Sequence, residues 1–496
     1  MTFPWQFLSL LSFHYQYICG NSSVGRASPC QGEGREFESR FPLHKPLAEF
    51  ILSKAEGLGF VALPQFTLVK RKSLVCAVNS TSGVVHGKLR SGTWRAILSY
   101  MLNIEDRKID QQILDAPMFT KVLLEDIALA SHRILIRSFL VRNDIVGQRT
   151  AMALRTAAER GVKVLIIKDR AGAMYEYSEE NGQSFFHDEP DKDDWTDIHS
   201  LRSLHIQGRF LRRFYGLEPT SLKKNPHKGL LCHKNIVTID DYKINDHSKV
   251  ILIDNEIAYS GGINFGQEFD APKGWLDFML RIQDKEIAPK LAKLDETQLL
   301  DKELLNFIKK TRQHITVIMA YLGNPVYLNA LTGLVNSGRS LHLITSKCPD
   351  SNRFSNDVFL RKLTTGINGN RQRLKISLRD GMVHAKALSR DHEKVRIGSQ
   401  NMAFADDVYG ESVVETNHPQ AIQTIAQVAE DNTKKDIVLA GKDLESIYEL
   451  CPRIHIIPAH IEETGKSLKL WAERKYRQEI AKARNKCTEA IKGFLL

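Results

Sequence analysis

The sequence predicts an α/β protein built from two duplicated lobes, each a mixed sheet with helices on its faces. Three observations carry that expectation. A strand–helix–strand unit spans 133–168, and a weaker copy of it spans 315–346. Two distant segments share the spacing His-x-Lys-x4-Asp, at His247, Lys249 and Asp254 and again at His384, Lys386 and Asp391. The chain has 496 residues, enough for two to four domains at roughly 100–200 residues each. Its 42% apolar and 26% charged content excludes a mainly disordered chain. A mean hydropathy of −0.28, with no apolar run near ~18–20 residues, excludes a polytopic membrane protein.

The N-terminal region carries little pattern. Residues 3–18 are apolar but lack a basic flank, and His14 and Gln16 interrupt them, so they do not read as an export signal. Residues 21–43 have neither helical nor strand periodicity. Their Glu36-Phe37-Glu38-Ser39 is encodable as GAG-TTC-GAR-TCN, which contains the GTTCGARTC of a transfer-RNA T-loop, so the segment resembles a translated transfer-RNA gene. Residues 1–45 are expected to be a disordered or spurious leader, and 46–114 a poorly defined segment of mixed signals, in which FVALPQFTLV and SLVCAV are compatible with strands and 92–102 with a short helix.

The first lobe is expected over 115–290. Met118, Phe119, Val122, Leu123 and Ile127 recur at helical spacing, giving an amphipathic helix over 116–131. Arg133–Leu140 reads as a buried strand, 144–161 as an Ala-rich helix closed by Gly161, and Val162–Lys168 as a second strand. Strand–helix–strand with a short Gly turn implies a βαβ unit, and so a parallel pair in a mixed sheet with helices on its faces. Residues 170–243 read as an insertion, with an acidic cluster at 187–197 and a basic, aromatic stretch at 208–216. The second lobe is expected over 291–430. Its strand at 315–322, helix at 325–337 and strand at 341–346 align SFL with AYL and AERGVKVLII with VNSGRSLHLI. Residues 431–496 read as a helical extension ending in a basic helix over 466–494, whose Leu468, Leu470, Trp471, Tyr476, Ile480 and Ala483 favour packing on the domain over membrane contact.

The chemistry resides in the two repeated segments. Each is trailed by a small pair and an asparagine, Gly261-Gly262 with Asn264 and Gly398-Ser399 with Asn401. On a strand, His and Lys two residues apart share a face. The Asp, seven residues on, falls on the opposite face or in the turn, so it anchors the strand end. Val250–Ile253 is apolar on both faces and reads as a central strand, whereas Ser389 and Arg390 suggest an edge or exposed strand in the second copy. A catalytic imidazole needs a partner on its second nitrogen. Asp277, thirty residues after His247, and Glu411, twenty-seven after His384, each open a strand beside the motif strand and are assigned as orienting acids, with Glu268 and Glu415 in reserve. Two histidines, two lysines and two asparagines suit phosphodiester chemistry: one imidazole attacks phosphorus, the other moves the proton. The lysines and asparagines steady charge on the equatorial oxygens without need of a metal.

The paired motifs resemble the phospholipase D (HKD) superfamily, and ASHRILIRSFLVRNDIVG with AAERGVKVLIIKD resembles its cardiolipin synthase-like branch. The resemblance covers about 115–425. It implies a pseudo-twofold pair of α/β sandwich lobes with the active site between them and a covalent phosphohistidine. It also implies no cofactor or metal, with His247 as nucleophile and His384 as acid/base. The leading functional expectation is a phosphatidyltransferase or phospholipase D acting on phospholipid at an anionic membrane surface. A nuclease of the same superfamily is the alternative, and a non-catalytic scaffold ranks third. The chain is expected to be a monomer with an internal pseudo-dimer, cytoplasmic or peripheral to the membrane. Seven scattered cysteines argue for a reducing compartment, and a net charge of +11 for an anionic partner.

Overall fold

The computed structural model describes residues 101–104, 109–173, 176, 227–240, 242, 244–270, 274–291, 297–350, 352–403, 409–451, 460, 463 and 477–495. All of them fall in Ile97–Leu496, the second of two compact units. The leader, the transfer-RNA-like segment, the acidic and basic clusters at 187–197 and 208–216, and residues 466–476 lie outside the described residues.

The first half supplies β1 (Met101–Ile104), β2 (Asp110–Leu114), α1 (Ala116–Leu129), β3 (Arg133–Arg137), α2 (Ile145–Glu159), β4 (Lys163–Ile167), β5 (Ile236–Ile239), β6 (Val250–Ile253), β7 (Ile257–Gly261) and β8 (Met279–Gln283). The second half supplies α3 (Thr297–Lys309), β9 (His314–Met319), α4 (Pro325–Asn336), β10 (Ser340–Ser346), α5 (Arg353–Thr365), β11 (Leu374–Arg379) and β12 (Lys386–Arg390). It continues with β13 (Lys394–Gly398), β14 (Val413–Thr416), α6 (Pro419–Lys435), β15 (Ile437–Ala440) and α7 (Arg477–Leu495). Single-turn helices are cited by residue.

Local chemistry explains the elements. Asp115 caps α1 by accepting the Met118 N–H at 3.1 Å, and Phe119, Leu123 and Ile127 bury one face. Asp144 caps α2 through the Val146 and Gly147 N–H groups, both at 3.0 Å. In the second lobe Asn324 caps α4 through Val326 N–H at 2.9 Å, with Pro325 in the first turn. Both helices end before a left-handed glycine, Gly161 at φ +101° and Gly338 at +87°, a conformation that costs glycine nothing.

Strand order exposes the duplication. One sheet runs β2-β8-β7-β6-β3-β4-β5 and the other β1-β14-β13-β12-β9-β10-β11-β15. Six consecutive positions correspond, β8-β7-β6-β3-β4-β5 with β14-β13-β12-β9-β10-β11, each run holding the parallel pair of a βαβ unit. Register refines the internal alignment. Arg137 pairs with Val250, three residues after His247, and Ile318 pairs with Ala387, three after His384. Arg137 therefore matches Ile318, and SFL lies one residue out of step with AYL.

Several expectations need correction. Met101–Ile104 is a strand rather than the end of a short helix, because its backbone completes the edge beside β14. Asp110–Leu114, placed before the first lobe, pairs with β8 of that lobe's sheet. Ile236–Ile239, placed in the insertion, extends that sheet in parallel with β4. Ile437–Ala440, assigned to a helical extension, is a strand beside β11. The strand of Ser389 and Arg390 is central, not an edge, and Ser389 is only 3% exposed.

The two sheets share one core. Leu135, Leu252 and Leu280 from the first pack with Ile318, Ile344 and Val414 from the second, and Ala421, Ile425, Ala483, Cys487 and Ile491 of α6 and α7 join the same cluster. Each buried Leu or Ile contributes about 1.5–3 kcal/mol, so this seam holds the lobes together. The described part of the C-terminal helix thus packs on the body of the protein.

Candidate active site

Strand direction determines where the motif side chains gather. β3 ends at Arg137 opposite Val250, where β6 begins, so His247 and Lys249 sit at the C-terminal end of β3. β9 ends at Met319 opposite Lys386, placing His384 likewise. Short bridges join these ends across the lobes, Asp246 with Gly410 and Leu276 with Val383. His247 N–H donates to Gly410 O at 2.8 Å, and His384 N–H to Leu276 O at 2.9 Å.

The carboxylates pair across the seam. His247 Nδ1 lies 3.1 Å from Glu411 Oε1, and His384 Nδ1 lies 2.7 Å from Asp277 Oδ2. Sequence spacing predicts each acid in its own lobe's dyad; the geometry exchanges them. Each acid precedes a strand two places from its motif strand rather than beside it, β8 beyond β7 and β14 beyond β13, and the inter-lobe bridges bring the other lobe's imidazole to its tip. A carboxylate on Nδ1 holds that nitrogen as the proton-bearing one and leaves Nε2 to do chemistry. The reserve acids are engaged elsewhere, Glu268 with Arg142 at 2.6 Å and Glu415 with Arg396 at 3.0 Å.

The small residues seat these acids. A Cβ on Gly262 would come within 2.4 Å of Asp277 Oδ1, so only glycine fits. At the matching place Ser399 donates its hydroxyl to Glu411 and accepts the Ser412 N–H at 3.0 Å. Asn264 Oδ1 accepts the Leu140 N–H at 3.3 Å. Asn401 is buried, and its Oδ1 accepts no hydrogen bond among the described residues.

The lysines complete one electrostatic cluster. Lys249 Nζ donates to His247 O at 2.6 Å, and Lys386 Nζ donates to His384 O and lies 3.1 Å from its ring nitrogens. Burial lowers Lys249 to about 7, against the pull of Glu411. Burial raises Asp277 to about 6, opposed by Lys386, and Glu411 to about 8, opposed by Lys249. His384 falls well below the ordinary imidazole value through burial, Lys386, Lys249 and His247. Mutual influence of both histidines, both lysines and both acids means they share one low-dielectric site.

The motif aspartates stand apart from this cluster. Asp254, at φ +51°, accepts the N–H groups of Ser131, His132 and Arg133, each at 2.8 Å. Asp391, at φ +54°, accepts those of Arg312, Gln313 and His314. Both tie the far end of the motif strand to the start of β3 or β9.

Sequence reasoning missed the aromatic walls. Phe139 and Tyr409 stand edge-on to His247 at 5.0 and 6.2 Å, and Phe269 and Trp275 flank His384 at 5.3 and 5.5 Å. Tyr321 lies under Lys386 as Phe139 lies under Lys249. It also missed the buried Arg137–Asp246 ion pair at 3.0 Å, which with Ser248 stiffens the approach to His247. The adjacency of Asp246 to His247 was the available signal.

Two sheets packed face to face on one core thus bring two crossed imidazole–carboxylate dyads and two buried amines into a single centre. The family described as "Cardiolipin synthase, PLD-like domain" matches residues 123–296 and 304–432, and the chain belongs to it. Cardiolipin synthase B of Salmonella typhi is 25% identical over 183 residues, 36% of this chain and 35% of that protein. Cardiolipin synthase of Listeria monocytogenes serotype 4b (strain F2365) is 23% identical over 367 residues, 62% of this chain and 66% of that protein. The chain thus spans between about a third and two thirds of these relatives' lengths. The crystal structure of phosphatidylserine synthase from Haemophilus influenzae Rd KW20 is similar at 13% identity and a TM-score of 0.47, over 75% of this chain and 95% of that one.

Proposed function

We propose that this chain is a phospholipid phosphatidyltransferase or phospholipase D that works through a covalent phosphohistidine. The observation that carries this reading is the exchange of acids: His247 with Glu411 and His384 with Asp277, each dyad built from both lobes. Membership of the cardiolipin synthase-like family supports a phospholipid substrate.

In the proposed course His247 Nε2 attacks phosphorus, the P–O bond to the departing alcohol breaks, and His384, entering the step as the imidazolium, delivers its Nε2 proton to the departing oxygen. His384 then takes a proton from the incoming alcohol or water, whose oxygen attacks phosphorus as the P–N bond breaks. Lys249, Lys386, Asn264 and Asn401 surround the phosphoryl oxygens and stabilise their charge. Asp254 and Asp391 act at the strand ends, away from the reacting atoms.

The test is to trap labelled phosphoenzyme from phosphatidylglycerol and, in parallel, from DNA. Label from phosphatidylglycerol that vanishes in His247→Ala and persists in His384→Ala supports the reading. Label from DNA alone would transfer the site to the nuclease branch, and label surviving His247→Ala would reverse the order of the histidines.

A further inference from the structure

Few large apolar side chains are strongly exposed among the described residues: Met118, Leu129, Ile145, Met152, Val237 and Val326. Three of the six lie in the first turn of a helix. Met118 is the third residue of α1, Ile145 the first of α2 and Val326 the second of α4.

Strand directions put all three turns at the edge that carries the site. β2 ends at Leu114 opposite Met279, two residues from Asp277, and α1 starts directly after it. β3 and β9 end beside Lys249 and Lys386, and α2 and α4 follow them. Contacts confirm the proximity. Asp144, next to Ile145, accepts the Gln267 N–H at 2.8 Å, and Phe269, two residues on, packs on the His384 ring. Asn324, two residues before Val326, donates its N–H to Met402 O, next to Asn401.

The surroundings of these residues suit a lipid surface. On α2 the outward stripe is Ile145, Arg149 and Met152, apolar side chains bracketing a cation at i, i+4 and i+7. On α1 Met118 is followed by exposed Lys121. Helix α4 has no charged residue from Pro325 to Asn336, although Pro325, Val326 and Asn329 face solvent. Exposed apolar side chains beside cations are what an interface of acyl chains and anionic headgroups accepts.

We propose that Met118, Ile145 and Val326 form an apolar rim that inserts into an anionic bilayer and seats the site mouth against it. This rests on the phospholipid reading above, since a diester anchored by acyl chains must be taken from the plane of the membrane. Leu129, at 78% exposure, is the internal contrast: it ends α1 next to the strand-anchoring Asp254 contacts, at the far end of the sheet.

The experiment compares the full chain, the triple variant Met118→Ser/Ile145→Ser/Val326→Ser, and Leu129→Ser. Each is tested for co-sedimentation with equimolar phosphatidylglycerol–phosphatidylcholine vesicles. Rates are measured on those vesicles and on monomeric dibutyryl phosphatidylglycerol. The expected result is at least a tenfold loss of vesicle binding and vesicle rate in the triple variant, a soluble-substrate rate within twofold of the parent, and a Leu129→Ser variant like the parent. Equal vesicle binding by parent and triple variant overturns the rim, as does an equal loss in Leu129→Ser. Dissociation of a dimer by the triple variant with vesicle binding unchanged assigns the patch to a second copy and also overturns it. A parent that turns over neither substrate refutes the enzymatic reading alone, and co-sedimentation still decides the rim.

Discussion

His247 and His384 carry the same motif but sit in different surroundings. The His247 side chain keeps 19% of its surface, whereas that of His384 keeps 7%, and burial with nearby cations lowers its pKa, which makes its imidazolium the readier proton donor. Replacing either by alanine is expected to reduce turnover at least ~10³-fold, the scale of losing a nucleophile or proton-transfer group; near-parental turnover in either variant would end the two-histidine course. The acids yield a pH prediction. Burial raises Glu411 to about 8, so the folded state holds a proton that the unfolded chain has lost. That contribution is full below the ordinary value of 4.5 and disappears as pH rises through about 8. Glu411→Gln is therefore expected to melt higher than the parent at pH 9 and to flatten the decline between pH 5 and 8, while losing activity. Thermal melts across pH read this directly, and an unchanged decline would place the proton elsewhere. For Asp254 burial acts upward, but the Arg133, Ser131 and His132 N–H groups hold its carboxyl below the usual range. Its stabilisation is present above the ordinary value and lost as pH falls below it. Asp254→Ala is expected to cost about 1–3 kcal/mol in denaturant unfolding with activity per folded molecule retained. Normal melting with lost activity would place Asp254 in the chemistry.

The elements act as props for those residues. β6 and β12 are central in their sheets, so the histidines leave them from rigid, doubly flanked backbones. The α7 helix reaches the same place from the C-terminus. Arg484 donates to Ile244 O at 2.6 Å and Asn245 O at 2.9 Å, two residues from His247. Arg484→Ala removes two charge-assisted bonds to a buried turn and is expected to cost about 1.5–3 kcal/mol. Its kcat is also expected to fall several-fold, because the turn positions the imidazole. Arg484→Lys, with one point charge for a fork, should restore part of the stability and less of the rate. A kcat unchanged in Arg484→Ala would confine α7 to packing.

At the scale of the molecule the lobes are inseparable for two reasons: they share an apolar core, and each histidine borrows its acid from the other lobe. Double-mutant cycles on unfolding free energy test the crossing. His384→Asn and Asp277→Asn should couple by about 1 kcal/mol or more, and so should His247→Asn and Glu411→Gln. His247→Asn with Asp277→Asn should couple more weakly. The reverse pattern would restore the pairing within each lobe that sequence spacing suggested.

Periodicity and motif spacing were sufficient to read the βαβ units, the repeated His-x-Lys pairs and the place of the aspartates, because these follow from short-range geometry. Two residues along a strand share a face, seven do not, and a glycine after a helix turns the chain wherever it occurs. The exchange of Asp277 and Glu411 was not legible, since offsets of thirty and twenty-seven residues place each acid before a later strand of its own lobe but do not say which imidazole its carboxylate meets. The strands at 101–104, 236–239 and 437–440 were hidden likewise: each is short and lies at or near a sheet edge, stabilised by pairing with distant chain rather than by its own pattern. The central place of Ser389 was masked by its polarity. Only the packing of one lobe against the other, through the shared core and the Asp246–Gly410 and Leu276–Val383 bridges, decided which groups share a site, because contact across a seam depends on the whole fold and not on any local spacing.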